Sequence, residues 1–114
     1  TAEQAAEFHI ARMAEVKRIY PDKDVVLTEF GWPNGPEGGT ESNDKTGQKC
    51  GVASAKNQLV VIKSTLKKLT EKNWSGHVFE AFSEHWKPSD EGDFGSHWGL
   101  CQGEPPYTCV KDFK

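Results

Sequence analysis

No apolar run in this chain comes near the ~20 residues that a membrane-spanning helix requires. Nor is there an excess of basic charge. With 14 Lys and Arg against 17 Asp and Glu, the net charge is −3, too small to build a nucleic-acid groove or to hold an anionic bilayer. Neither a nucleic acid nor a membrane is therefore expected as a partner. Cysteine is scarce: three residues cannot form the disulfide framework of a miniprotein. No Cys-x-x-Cys pair occurs and the histidines do not fall at finger spacing, so neither a metal nor a cofactor is expected. Aliphatic residues are also few, which brings the composition near the border with disorder. Against that stand 4 Trp and 6 Phe, each offering a large surface to bury. The low net charge points the same way, and folding is the expected outcome.

What is present reads as helix, strand, long loop, helix, strand and tail. Ala6, Ile10, Met13, Val16 and Tyr20 recur at steps of three and four, which predicts a helix over 1–20 with Thr1 as its cap and Pro21 as its stop. VVLTEF, residues 25–30, is short, β-branched and closed by Gly31-Trp32-Pro33, the pattern of a buried strand. Residues 33–51 are crowded with Gly, Pro, Asn, Asp and Ser and predict a loop. Its length is unusual, and long loops are commonly functional or disordered. Ala55, Leu59, Ile62, Leu66 and Leu69 then form a second helical stripe behind Ser54, a good N-cap. Alternation through HVFEAFSEHW, residues 77–86, predicts the second strand. From Lys87 onward the chain reads as irregular. There Cys101 and Cys109 flank a Gly- and Pro-containing turn that a disulfide could close, leaving Cys50 as the odd thiol.

A strand-helix-strand unit makes a parallel pair with a right-handed crossover. Two parallel strands and two helices do not complete such a sheet, which needs cover on both faces. Functional groups in parallel α/β folds gather at the carboxyl ends of strands. Glu29 and Glu84 occupy such positions, and paired acids are the apparatus of glycoside cleavage. The bland alternative is a pair of solvated strand ends. Glu80 lies deeper in the strand and reads as a neutralised or hydrogen-bonded structural acid. Phe30, Trp32, Phe82, Trp86, Phe94 and Trp98 cluster near the same ends, as either sugar-stacking rings or ordinary core. Lys87 would hold a neighbouring carboxylate ionised.

At these residues the sequence resembles glycoside hydrolase family 17, the β-1,3-glucanases and glucanosyltransferases. VVLTEFGWP resembles the family's nucleophile strand, FEAFSEHWK its final strand, SAKNQ (54–58) the start of the helix between them, and HWGL (97–100) its closing segment. The resemblance implies the C-terminal portion of a TIM (β/α)8 barrel, incomplete on its own. Residues 1–114 would supply helix six, strand seven, helix seven, strand eight and the tail, with the N-terminal part of the barrel expected elsewhere. It further implies Glu29 as the nucleophile of a retaining reaction on β-1,3-glucan. Glu84 and Lys87 would bind substrate and tune Glu29, and Trp32, Phe82, Trp86 and Trp98 would line the cleft. The partner is a β-glucan polysaccharide or oligosaccharide. The family's general acid/base has no counterpart here, so the isolated chain is expected to be silent. Where the family places a further acid, four residues before the Gly of its closing segment, this chain has Gly95, with Asp93 or Glu91 nearby as substitutes.

The contrasting readings are a degenerate carbohydrate-binding product without chemistry and a freestanding α/β domain with surface acids. Exposed barrel edges argue against the last. A wall-glucan substrate and a Cys101–Cys109 bridge both suit a secreted or cell-wall protein, with any signal peptide expected upstream of Thr1.

Overall fold

A computed structural model of the chain describes residues 1–42, 46–47, 49–87 and 92–111. Its centre is a β-α-β unit: β1 (Val26–Phe30), α2 (Ala55–Glu71) and β4 (Ser75–Val78). The two strands are parallel neighbours, with Val26 opposite Ser75, Leu27 opposite Gly76 and Phe30 opposite Val78. The helix α1 (Ala2–Ile19) precedes the unit, and two short antiparallel ribbons complete the architecture. They are β2 (Glu41–Ser42) with β3 (Lys49–Cys50), inside the segment predicted as a loop, and β5 (Cys101–Gln102) with β6 (Thr108–Cys109), in the tail. A disulfide joins Cys101 to Cys109 across the second ribbon. No helix among the described residues is long and apolar enough to cross a membrane.

Both helices begin at side-chain caps. The Thr1 hydroxyl accepts from the Gln4 amide while the Gln4 side chain accepts from the Thr1 nitrogen, a reciprocal arrangement that satisfies two orphan donors. Ser54 accepts from the Asn57 amide at 3.0 Å. The predicted stripe of α1 is buried only through Met13; Val16 and Tyr20 are exposed, because the covered part of the helix ends before its last turn. On α2 the buried face is Gln58, Val61, Ile62, Thr65 and Leu69. That face is rotated from the predicted stripe, since two of its members are polar and carry no hydropathic signal. Ile10, Met13, Phe30, Ile62 and Leu69 form the core, with Leu27, Trp74 and Val78 packed against it. Phe30 is therefore core rather than part of a sugar-stacking surface.

The second strand departs from prediction. It begins at Ser75 and ends at Val78, not over 77–86. Asn73, at φ 54°, takes the left-handed turn that stops α2, as Asn tolerates better than most residues. Gly76, which reads as a turn residue, is instead in the strand because a Cβ there would lie 2.8 Å from Leu69 Cδ1 and 3.1 Å from Phe30 Cε1. Beyond Val78 the chain stays extended but changes partner. Phe79 N–H donates to Phe30 O at 2.8 Å. Residues 80–83 then run beside 98–101, where Leu100 N–H donates to Glu80 O at 3.0 Å, Cys101 N–H to Ala81 O at 2.8 Å and Ser83 N–H to Cys101 O at 2.8 Å. The predicted alternation through FEAFSE is not kept, since Ala81 and Phe82 are both exposed and Ser83 is buried; the neighbour of this segment is the tail rather than β1.

Candidate active site

The carboxyl ends of β1 and β4 open onto the same neighbourhood. Glu29 is the exposed penultimate residue of β1. After Phe30 the chain turns through Gly31, whose missing side chain is required: a Cβ there would collide with the Phe79 carbonyl oxygen. Two backbones thus pass in direct contact where β1 ends, a placement only glycine permits. The segment following β4 is locked to both β1 and the tail at this point.

Along that segment Lys87 folds back onto Glu80 and Glu84. Its ammonium donates to Glu80 Oε1 at 2.9 Å and lies 3.3 Å from Glu84 Oε2. The side chains are 7% exposed for Lys87, 14% for Glu80 and 35% for Glu84, so the cation is the innermost member of the trio. The ammonium also sits 4.4 Å from the centre of the Phe79 ring, an attraction that strengthens when water is excluded. Burial pushes the Glu80 carboxyl above the ordinary glutamate range, with Lys87 opposing it. Burial works to lower the Lys87 pKa, but its bonds to Glu80 and Glu84 outweigh this and leave it raised. Of the two acids expected as substitutes, Asp93 is exposed and makes no ion pair with Lys87, and Glu91 lies outside the described residues. The described carboxylates that pair with Lys87 are Glu80 and Glu84.

Beside this trio is an apolar cleft of about 250 Å³ lined by Trp32, Pro33, Cys50, Val52, Phe94 and Trp98, among others. The two indoles are held from behind by the start of α2. The Trp32 indole N–H donates to Val52 O at 2.8 Å, and the Asn57 amide donates to the same oxygen at 2.9 Å. Gln58, fully buried, donates to Trp98 O at 3.0 Å. Asn34, also buried, donates to Gly99 O at 2.8 Å. Trp98 meets Phe79 edge-on at 5.9 Å, which links the cleft wall to the ring beneath Lys87. Among the described residues no three His, Cys, Asp or Glu side chains converge as metal ligands would.

A family model described as the BtgE/BtgC glycoside hydrolase domain matches residues 1–99. The chain belongs to that family. Among the relatives of this BtgE/BtgC domain is the "probable family 17 glucosidase SCW10" of Saccharomyces cerevisiae. The two are 28% identical over an alignment 99 residues long, which covers 81% of this chain and 22% of that protein. The fold is similar to the crystal structure of a glycoside hydrolase family 17 β-1,3-glucanosyltransferase from Rhizomucor miehei. That likeness has a TM-score of 0.69 at 24% identity, covering 95% of this chain and 37% of that one. An active-site mutant of the Rhizomucor miehei enzyme in complex with laminaritriose gives 0.66 at 22% identity, over 91% and 36% of the respective chains. The chain thus spans about a fifth of the curated relative and somewhat over a third of the solved structures, and the likeness to family 17 covers most of its own length.

Within the BtgE/BtgC domain, Glu29 stands exposed on β1, and the other sequence-predicted residues divide into three groups. Trp32 and Trp98 share the cleft. Glu84 and Lys87 pair with each other, Glu84 lying six residues beyond β4 rather than at its end. Phe82 and Trp86 do not line this cleft: Phe82 packs on Tyr107 with ring centres 4.6 Å apart, and Trp86 is 75% exposed. Sequence reasoning missed Asn34 and the supporting roles of Asn57 and Gln58. The available signal was an amide on the buried side of a helix start, a costly placement unless it is hydrogen-bonded.

Proposed function

We propose that this chain supplies the nucleophile-bearing part of a retaining site that hydrolyses or transfers β-1,3-glucan. In this reading residues 1–114 form the C-terminal portion of a (β/α)8 barrel: α1 is its helix six, β1 strand seven, α2 helix seven, β4 strand eight, and the remainder the tail. Glu29 attacks the anomeric carbon from the open end of β1. An acid from outside this chain, with its carboxyl about 5–5.5 Å away, protonates the departing glycosidic oxygen. The resulting glycosyl-enzyme ester is resolved by water, giving hydrolysis, or by a sugar hydroxyl, giving transfer. Trp32 and Trp98 offer flat apolar faces to the pyranose rings, and Glu84 and Lys87 bind substrate and set the field around Glu29, with Phe82 and Trp86 at more distant sugars.

The observation that carries the reading is the parallel pairing of β1 and β4. With Glu29 penultimate in β1 and the Glu80–Glu84–Lys87 segment following β4, this pairing supports a site at the carboxyl ends of adjacent strands, where barrel enzymes assemble theirs. The laminaritriose bound by the Rhizomucor miehei relative supports a β-1,3-glucan as substrate class. The disulfide favours a secreted or cell-wall location. The test is covalent trapping with a 2-deoxy-2-fluoro-laminaribiosyl fluoride on a polypeptide carrying this chain with the rest of the barrel. The label is expected on Glu29, and Glu29→Gln is expected to lower turnover by at least about 10⁴-fold, the scale of losing a nucleophile. The 114-residue chain alone is expected to be silent. A label on another carboxylate, or an active Glu29→Gln, would refute the assignment.

A further inference from the structure

Lys87 has two carboxylate neighbours that differ in how firmly they are held. Glu84 lies toward water, in a turn closed by Lys87 N–H donating to Glu84 O at 3.2 Å. Glu80 is fixed through its own backbone: its carbonyl accepts from Leu100 N–H at 3.0 Å, and its N–H donates to Trp98 O at 3.4 Å. It is also the closer and the less exposed of the two carboxylates.

We infer that Glu80 is a positioning residue: it anchors the Lys87 ammonium on the Phe79 ring, and through that cation it sets the charge presented by Glu84 beside the Trp98 wall. A buried cation needs a fixed counter-charge, and Glu84, more open to water and farther from the ammonium, holds it against the ring less firmly. Without Glu80, Lys87 keeps only its outer partner and either follows it outward or loses its proton more readily. Among the described residues, Glu80 and Glu84 are the charged side chains that act on Lys87. The neighbouring segment 98–101 (Trp-Gly-Leu-Cys) brings no further charge, and Glu29, the exposed carboxylate near the end of β1, is not among the groups that act on Lys87. The sign follows from the direction of the Lys87 shift. Its stabilising contribution is full below the ordinary lysine range and is lost as pH rises through its raised folded value. The link to catalysis rests on the glucan-cleaving reading; the link to Lys87 does not.

The experiment reads Lys87 directly, by competitive acetylation of the purified protein across pH with quantitative mass spectrometry, using exposed Lys63 as the internal standard. In the unaltered protein Lys87 is expected to label at least about tenfold more slowly than Lys63 at pH 10. In Glu80→Gln its apparent pKa is expected to fall by about one unit or more, the effect of losing an adjacent opposite charge, and labelling at pH 9 to rise accordingly. Glu84→Gln is expected to shift it less, and Glu80→Asp to restore most of the protection. Equal labelling of Lys87 and Lys63 in the unaltered protein would overturn the inference without any variant. So would a larger shift in Glu84→Gln than in Glu80→Gln. In a catalytically complete protein, the alkaline limb of kcat/KM is expected to move down in Glu80→Gln by the same amount as the labelling pKa. A labelling shift without that movement leaves the anchoring role standing and refutes the catalytic reading.

Discussion

Replacing Gly99 by alanine tests whether the tail and the segment after β4 are one backbone-to-backbone seam. The Cβ introduced by Gly99→Ala would overlap Ser83 N and Phe82 C and would stand 2.6 Å from Ser83 Cα. These are main-chain atoms, so no rotamer relieves the clash, and the two segments must separate by on the order of 1 Å to restore normal contact distances. That separation strains the bonds that close the seam: Ser83 N–H to Cys101 O and Cys101 N–H to Ala81 O, each 2.8 Å, and Asn34 to Gly99 O, also 2.8 Å. Overpacking alone costs about 1–3 kcal/mol, and each weakened hydrogen bond adds up to about 1 kcal/mol. We therefore expect a loss of about 3–5 kcal/mol, read as a lower urea midpoint by tryptophan fluorescence. Gly38→Ala is the internal comparison. Gly38 has φ 75° with nothing within 4 Å of a Cβ, so it carries only the left-handed backbone cost of about 1–2 kcal/mol. If Gly99→Ala is no more destabilising than Gly38→Ala, the seam is not a close-packed contact and the reasoning fails.

Two further perturbations follow from the same framework. Asn57→Ala removes one of the two donors on Val52 O while leaving Trp32 bonded there. The expected loss is about 1 kcal/mol of cleft rigidity, seen in a complete enzyme as a roughly fivefold rise in KM for a laminari-oligosaccharide at nearly constant kcat; an unchanged KM would separate α2 from the positioning of Trp32. Replacing Cys101 and Cys109 together by serine opens a bridge of sequence separation 8 and is expected to cost about 2.5 kcal/mol on the loop-entropy model. Amide exchange at Gln102 and Thr108 should quicken in that variant, and unaltered exchange would mean that the β5–β6 ribbon persists without its bridge.

Much of the frame was legible because it rests on local rules. The Ser54 cap, the β-branched run of β1 and the four-three spacing of α2 each have one physical cause, and together they imply the parallel crossover that the structure contains. What escaped depended on contacts between distant segments. Gly76 looks like a turn residue until Leu69 and Phe30 are seen pressing on it. Gln58 and Thr65 are invisible to an apolar stripe, although both are fully buried. The apolar and polar order in FEAFSE suggests a strand continuing from Val78, but the strand ends there and the segment bonds to the tail, a partner that the local pattern cannot name. Glu80 reads from sequence as a hydrogen-bonded structural acid, and it is hydrogen-bonded to Lys87; that partner lies seven positions on in a segment that is neither helix nor strand, so no periodicity announces the pair. The aromatics show the same limit. Their clustering is evident, but Trp32 and Trp98 enter the cleft while Phe30 enters the core, a division that backbone direction decides.

The stretch between Pro33 and Ser54 leaves and returns through one clasp. Ser54 N–H donates to Pro33 O at 3.2 Å, Gly38 N–H to Ala53 O at 2.9 Å and Ala53 N–H to Gly39 O at 2.8 Å. Its mouth is thereby stapled shut independently of how many residues lie farther out. Because closure entropy grows only slowly with loop length, lengthening or shortening the distal part carries little energetic penalty and leaves the positions of Trp32 and the first turn of α2 undisturbed. The excursion is thus a natural site of evolutionary tinkering: it can gain or shed residues and reshape one bank of the cleft while the strands beneath keep their register.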